Sequence, residues 1–342
     1  MDKPVITVFG GSGFLGRHLI NRLARGGALI RVAVSDPIKA EFLKIDGDPG
    51  QITPWPADVT NPDSVAAAVD GAQQVINLVG ILYERGKRTF RAVHVDGAGF
   101  VARAAHDAGA AKLVHVSAIG AGSDSPGRYG QSKAQGEARV QEAFPDAVII
   151  RPSVIFGPED KFFNLFASLS RLMPFLPVFG CPPMPRVTLF PEGGFADIDL
   201  YGNGGTRFQP VYVGDVTNAI AAILADGSIK GTIFELGGPT QYSFKEIMEL
   251  LLAQIGRKKF LAPVPFALAR FEAWFLEKWP VPILTRDQVD MLRRDNVCGG
   301  QFPGFEALAI KPVAAEAILP GYLHRFRPPS RQGRGKANME AV

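Results

Sequence analysis

Tyr129 and Lys133 stand four residues apart in the string Tyr129-Gly130-Gln131-Ser132-Lys133. On a helix that spacing places both side chains on one face. The Lys133 ammonium can then lie near the Tyr129 hydroxyl and near a ribose. A cation at such a distance favours tyrosinate, which makes the phenol a proton donor and acceptor close to neutral pH. Ser117 ends the strand-like His115-Val116-Ser117 and can polarise a substrate carbonyl. YxxxK is frequent by chance, and the plainer alternative is a surface tyrosine beside a solvated lysine. The rest of the chain decides between them, by whether it builds a nucleotide site.

A second string points to one. Gly10-Gly11-Ser12-Gly13-Phe14-Leu15-Gly16 reads GxxGxxG, directly after strand-like Val5–Phe9 and directly before a helix-period segment. Glycines there permit a tight turn, close approach of backbone N–H groups to a pyrophosphate, and packing of helix on sheet. The helix N-terminus attracts the anion. Gly10, Ser12, Gly13, Phe14, Leu15, Gly16 and Arg17 are the phosphate-side candidates. The adenosine ribose falls at the end of the second strand, where the chain reads Val34-Ser35-Asp36. A carboxylate at Asp36 would accept bonds from a ribose 2′-OH and repel a 2′-phosphate. Equally, Asp36 can simply begin the Asp36-Pro37 turn. Arg17, Arg31 and Lys39 are nearby cations able to receive a phosphate instead. Asp58-Val59 follows the next apolar run, where an acid can meet the adenine amino group.

Short apolar runs alternating with helix-period segments must position these residues. Strands are expected over Val5–Phe9, Leu29–Val34, Val75–Val79, Lys112–Ser117 and Ala147–Arg151. Helices are expected over Phe14–Arg25, Ser64–Val69, Ala92–Ala108 and Tyr129–Phe144. The fold class is therefore α/β, a Rossmann-type doubly wound parallel sheet with a smaller, mixed C-terminal lobe. Residues 1–157 are assigned to the dinucleotide domain and 158–327 to the lobe, with 211–237 returning to the sheet. The Pro/Gly-rich Gly180–Gly205 is expected as a lobe or lid, and 328–342 as a basic disordered tail.

Composition removes several function classes. Of 342 residues 46% are hydrophobic and 24 are Phe, enough apolar surface to order the chain. The formal charge of +4 and a pI near 9.0 invite a nucleic-acid reading. From Arg325 onward, however, five basic residues (Arg325, Arg327, Arg331, Arg334, Lys336) face one acid, Glu340, while residues 1–324 balance at 32 against 32. A neutral body with a basic tail is no nucleic-acid domain. Cys181 and Cys298 make no disulfide framework, and no Cys/His spacing suggests a metal. No leader is expected before Val5. The longest nearly uncharged stretch, Phe162–Pro185, is interrupted by Arg171, Pro174, Pro177, Pro182 and Pro183 and does not span a bilayer. The chain reads as soluble or peripheral.

Two aromatic segments stand out. Leu268, Phe271, Trp274, Phe275 and Trp279 share one helical side, and Phe162–Met173 carries a comparable stripe. Such stripes usually cover a chain's own core, but Trp and Phe equally suit a membrane interface or a partner surface.

GxxGxxG, Asp58, Val75-Ile76-Asn77-Leu78-Val79-Gly80, Ser117, YxxxK and Arg151-Pro152-Ser153 resemble an extended or atypical short-chain dehydrogenase/reductase. Four longer strings narrow the resemblance: Asn77–Tyr83, Arg151–Asp160, Arg207–Val216 and Leu284–Val289. Together they are similar to the nucleotide-binding accessory-subunit family of respiratory complex I, alpha-subcomplex subunit nine and its alphaproteobacterial relatives, over roughly residues 4–327. The resemblance implies a bound NADPH with a structural or regulatory role, without turnover, where the peripheral and membrane arms meet near the quinone site. It adds Leu78, Val79, Gly80, Pro152, Ser153 and Val154 to the cofactor-binding candidates Ser35, Asp36, Asp58, Val59, Ser117, Tyr129 and Lys133. It also implies a place on the cytoplasmic face of a bacterial inner membrane, with the aromatic segments and basic tail toward partner subunits, the membrane surface or anionic lipid. Ser35-Asp36 stands where relatives often carry arginine, so NADH stays open beside NADPH. The intact Ser117/Tyr129/Lys133 set keeps open a stand-alone NAD(P)-dependent epimerase, dehydratase or reductase, and an NAD(P)H-sensing regulator is a third reading.

Overall fold

Val5–Phe9 (β1) is apolar on both faces: Ile6 and Val8 point one way, Phe9 the other, and all three are buried. A strand covered on both sides belongs inside a parallel sheet with helices above and below. The computed structural model, which describes residues 3–184, 186–189 and 196–329, places it so. After β1 come α1 (Phe14–Arg25), β2 (Leu29–Val34), β3 (Ile52–Pro56), α2 (Pro62–Val69), β4 (Gln74–Asn77), α3 (Gly97–Asp107), β5 (Lys112–Val116), α4 (Arg128–Ala143) and β6 (Val148–Pro152). Then follow β7 (Ile155–Phe156), α5 (Phe162–Leu172), β8 (Phe175–Phe179), β9 (Arg186–Leu189), β10 (Ala196–Asp199), β11 (Arg207–Phe208) and β12 (Val211–Tyr212). The last elements are α6 (Val213–Ala225), β13 (Ile233–Leu236), β14 (Tyr242–Ser243), α7 (Phe244–Ile255), β15 (Phe260–Val264), α8 (Phe266–Leu276), α9 (Arg286–Met291) and α10 (Ala315–Leu323).

The main sheet has seven strands in the order β13-β6-β5-β4-β1-β2-β3, and its pairings are parallel. The strand order reverses between β1 and β4, and a crevice opens at the carboxyl ends there. On one face Val8, Val32, Val114 and Ile150 pack with Leu19 and Ile20 of α1 and Ile220 and Ile223 of α6. On the other, Phe9, Val75 and Leu113 meet Val65, Val101 and Val140 of α2, α3 and α4. The fold is thus a doubly wound Rossmann sheet.

Three local differences from the sequence expectation have physical reasons. The strand expected over Val75–Val79 stops at Asn77, whose side chain accepts from Val79 N (3.0 Å) and turns the chain off the sheet. The helix expected over Ala92–Ala108 begins with a wide π turn at Arg91–Asp96, and regular α geometry starts at Gly97. β3 was hidden by Pro54 and Pro56, which are tolerated because this strand lies at the sheet edge.

A second core lies outside the sheet. Phe244 is its hub, touching Phe166, Phe179 and Phe208 edge-on at centroid distances of 5.6, 5.4 and 5.8 Å. α7 starts on a capping box between Ser243 and Glu246. Phe163 and Phe166 of α5 are buried in this core, so those rings of the Phe162–Met173 stripe cover the protein's own interior, while Leu165 and Leu172 are exposed. α8 is the reverse case. Its buried residues are Ala269 and Ala273, while Leu268, Phe271, Trp274, Phe275 and Trp279 stand 41–66% exposed. Covering the core is therefore not what this stripe does. Part of the Gly180–Gly205 segment and residues 330–342 of the expected tail lie outside the described residues. Arg325 and Arg327 are tied to the body: Arg325 donates to Pro158 O and Asn164 Oδ1, and Arg327 to Gln254 O.

Candidate nucleotide site

A cavity of about 380 Å³ opens at the carboxyl ends of β1, β2 and β4. It is lined by Gly10, Ser12 and Gly13 at its floor, Ser35 and Asp36 beyond β2, Asp58 and Val59 beyond β3, and Leu78, Val79 and Gly80 beyond β4. Residues from four separate stretches of sequence therefore meet at the strand-order reversal.

The floor is shaped for close approach. Gly10 takes φ +77°, and a Cβ there would stand 3.2 Å from Val79 N. A Cβ on Gly16 would sit 2.5 Å from the carbonyl oxygens of both Gly10 and Gly11, so this glycine lets α1 pack on the loop rather than meeting a ligand. Gly13 is the N-cap of α1 and offers no side chain to the first-turn N–H groups. Those donors and the helix dipole face an anion unopposed. The side chains of Phe14, Leu15 and Arg17 face elsewhere: Phe14 lies against Gly157 and His18, Leu15 against the sheet core, and Arg17 over the Phe42 ring at 5.3 Å.

Beyond β2, Asp36 has two places at once. It lines the cavity, and it also starts the turn, accepting from Lys39 N (3.2 Å) and pairing with Lys39 Nζ (2.9 Å). The hydrogen bond from Lys39 holds the Asp36 carboxyl below its ordinary value. Arg31 is removed as a phosphate receiver, because it donates to the carbonyls of Ala68 (2.7 Å) and Asp70 (2.8 Å) and stacks on Trp55. Arg88 was missed in the sequence, yet it lines the cavity beside Lys39. Its only signal was a basic residue in the loop after β4. Asp58 Oδ1 accepts from Thr60 N and Oγ1, which fixes the carboxylate at the cavity wall.

Ser117, Tyr129 and Lys133 do not line the cavity, and Lys133 stands behind Gly80. A Cβ on Gly80 would lie 3.8 Å from Lys133 Nζ and 3.7 Å from His94 Nε2. Lys133 donates to Val116 O at 2.8 Å. The Ser117 hydroxyl is buried and has no partner among the described residues. A buried hydroxyl left without a partner is the exception in a folded chain and marks Ser117 as a group able to bond a ligand. The expected tyrosinate does not appear: burial, with the Asp287 charge adding to it, pushes the Tyr129 phenol up to about 12. Burial also brings Lys133 down to about 8. Burial and the Asp287 carboxylate both raise this phenol, and Lys133 does not lower it. Pro152, Ser153 and Val154 also stay outside the cavity. Ser153 Oγ donates to Asn296 Oδ1 (2.7 Å), Val154 N donates to the same oxygen (3.1 Å), and Val154 packs on the second core.

His94 joins the two halves of the site. Its Nε2 accepts from Ile81 N (2.9 Å), its Nδ1 pairs with Ser132 Oγ (2.9 Å), and Ser132 donates to Tyr129 O. Burial brings the His94 imidazole down to about 3, and it pushes fully buried His115 in the same direction. Both rings are therefore neutral in the folded chain, while the unfolded chain takes up protons below pH 6.5. Stability should be full above that value and fall on acidification, by up to about 1.4 kcal/mol per pH unit for each group. For His94 the fall continues to a pH of about 3. His115, whose ring nitrogens have no partner among the described residues, is the cleaner probe. His115→Leu should flatten the slope of urea-unfolding stability between pH 6 and 4 by one group's share. An unchanged slope would contradict its neutral burial.

Residues 10–160 match a family model described as NAD(P)H-binding. The chain is 33% identical over 94% of its length to mouse NADH dehydrogenase [ubiquinone] 1 alpha subcomplex subunit 9, mitochondrial, and covers 80% of that protein. It is 30% identical to the Neurospora crassa NADH-ubiquinone oxidoreductase 40 kDa subunit, over 94% of this chain and 79% of that one. Among solved structures, the dTDP-glucose 4,6-dehydratase DesIV of Streptomyces venezuelae, with NAD and TYD bound, superposes with a TM-score of 0.67. That alignment covers 97% of this chain and 98% of the other at 20% identity, which speaks for the fold alone. No helix among the described residues is long and apolar enough to cross a membrane, and no group of side chains there is arranged to hold a metal ion. The chain belongs to the family of the complex I alpha-subcomplex subunit 9 proteins.

Proposed function

We propose that this protein is an accessory, NAD(P)H-binding subunit of a membrane-bound NADH:quinone oxidoreductase, structural or regulatory in role and without turnover. The observation that carries the reading is the division of the molecule. A glycine-floored cavity lies in the sheet domain, and on the C-terminal lobe an aromatic helix side has no covering among the described residues. Residues 1–157 hold the nucleotide, with Gly10, Ser12 and Gly13 at the pyrophosphate, Asp58 and Val59 at the adenine, and Leu78–Gly80 with Ser117, Tyr129 and Lys133 at the nicotinamide ribose. Residues 158–327 dock, and the segment from residue 328 adds positive charge toward anionic lipid. The site of assembly is the cytoplasmic face of the inner membrane, where the peripheral and membrane arms meet near the quinone site.

The nucleotide is NADPH. Lys39 offsets the Asp36 carboxylate that would repel a 2′-phosphate, and Arg88 adds a second cation at the same cavity. A Tyr129 held at about 12 and without help from Lys133 is a poor acid/base at neutral pH, which supports a resident nucleotide over a cycling one. Tyr129→Phe should therefore leave assembly and the complex's NADH:quinone activity within about twofold of wild type, measured on purified complex. Loss of that activity with nucleotide still bound would contradict the assignment.

The orphaned Ser117 hydroxyl keeps one competitor, a stand-alone epimerase, dehydratase or reductase. Purification from membranes separates the two. Co-migration with a detergent-solubilised quinone-reducing assembly is expected. A free monomer or dimer that consumes NAD(P)H with an added ketone or sugar nucleotide would overturn the subunit reading.

A further inference from the structure

Thr285-Arg286-Asp287-Gln288 belongs to a distinctive string of the sequence, yet none of it lines the nucleotide cavity. Its place in the fold is specific. Thr285 and Gln288 close a capping box, with Gln288 N to Thr285 Oγ1 at 3.2 Å and Thr285 N to Gln288 Oε1 at 3.0 Å. That box starts α9 and points Asp287 away from its own helix. The Asp287 carboxylate instead accepts from Arg128 N (2.5 Å) and Tyr129 N (3.1 Å), the first two N–H groups of α4. Gly127, the N-cap of α4, has no side chain to do this. A carboxylate at a helix N-terminus also opposes the helix dipole favourably.

Other contacts hold the segment in register. A Cβ on Gly127 would lie 2.7 Å from Met291 Cγ, so α9 lies directly on that turn. Arg294 pairs with Asp124 at 2.6 Å, and Asn296 receives Ser153 and Val154. α9 is joined in turn to α8 through Arg270 with Asp290 and Arg286 with Glu277.

We propose that Asp287 is a positioning residue: from the C-terminal lobe it supplies the missing cap of α4 and so sets the turn that presents Tyr129 and Lys133 to a bound dinucleotide. This rests on the dinucleotide reading above. Asp287 touches backbone rather than nucleotide, so its effect passes through the ordering of α4.

The test is an NADPH titration of the full chain. Asp287→Ala, which removes both acceptors, should weaken NADPH binding about five- to tenfold, the usual scale for loss of an N-cap. Asp287→Asn keeps an acceptor oxygen and should return affinity to within about twofold to threefold of wild type. Hydrogen exchange on the wild-type chain supplies a second measurement that does not depend on the variants folding. NADPH should slow exchange in residues 125–133 and in 286–291 together. Equal NADPH affinity of wild type and Asp287→Ala, or protection of 125–133 with 286–291 unchanged, would overturn the role of Asp287. A wild-type chain that binds no NADPH would instead overturn the dinucleotide reading itself.

Discussion

Gly13→Val is expected to yield a folded chain that has lost its dinucleotide. Gly13 has φ −74° and ψ −179°, extended backbone that valine adopts readily. A Cβ there meets only Gly10 O, at 3.2 Å. The fold therefore tolerates the side chain with a small adjustment, but its branches enter the cavity floor where the pyrophosphate is to lie. Displacing the phosphate from two N–H groups removes two charge-assisted hydrogen bonds of about 1.5 kcal/mol each, or about 100-fold in affinity. Dinucleotide per chain after purification, read beside the melting temperature, checks this. Gly16→Val serves as the contrast. Its Cβ would collide with two backbone oxygens at 2.5 Å, so it should unfold or strongly destabilise the chain. Normal occupancy in folded Gly13→Val would place the pyrophosphate elsewhere.

The second large effect is expected at the aromatic helix. Phe271, Trp274, Phe275 and Trp279 are 62, 41, 50 and 66% exposed, so changing all four to Ser removes little from the core. The melting temperature should hold within a few degrees. Docking should fail, because burying each such side chain against a partner contributes roughly 1–2 kcal/mol. The loss over four positions is about 1,000-fold or more in association. The fraction of chain that sediments with membranes carrying the complex measures it. Unchanged sedimentation would show that the helix faces water in the assembly as well.

These two sites also show what was legible in the sequence. The glycine string was readable because its meaning is local: a strand, a turn and a helix start within a few residues, and each glycine's neighbour is its own loop. The short apolar runs alternating with helix-period segments likewise announced a parallel sheet. The aromatic stripe of α8 was readable as a stripe, but helical spacing alone does not say which face turns inward. Ala269 and Ala273 decide it, since small side chains let the helix lie close on the second core and leave the large rings outside.

What could not be read depended on contacts far apart in the chain. Asp287 lies 158 residues from Tyr129, yet it both caps that tyrosine's helix and raises its phenol. Asn296 occupies Ser153 and Val154 from 143 and 142 residues away, which takes both out of the cavity. Arg31 looked available until two carbonyls across the α2 end of the sheet claimed it. The spacing of Tyr129 and Lys133 correctly placed them on one helix. The sign of the resulting shift was set by burial, which four residues of sequence do not encode.

A dinucleotide held in the cavity between Gly10 and Gly80 is tested directly by one measurement. The chain is purified without added nucleotide, denatured, and the small molecules released are identified and quantified by mass spectrometry. NADPH at close to one per chain is the predicted result. A protein that retains its fold and releases no nicotinamide nucleotide, and takes none up from solution, would contradict it.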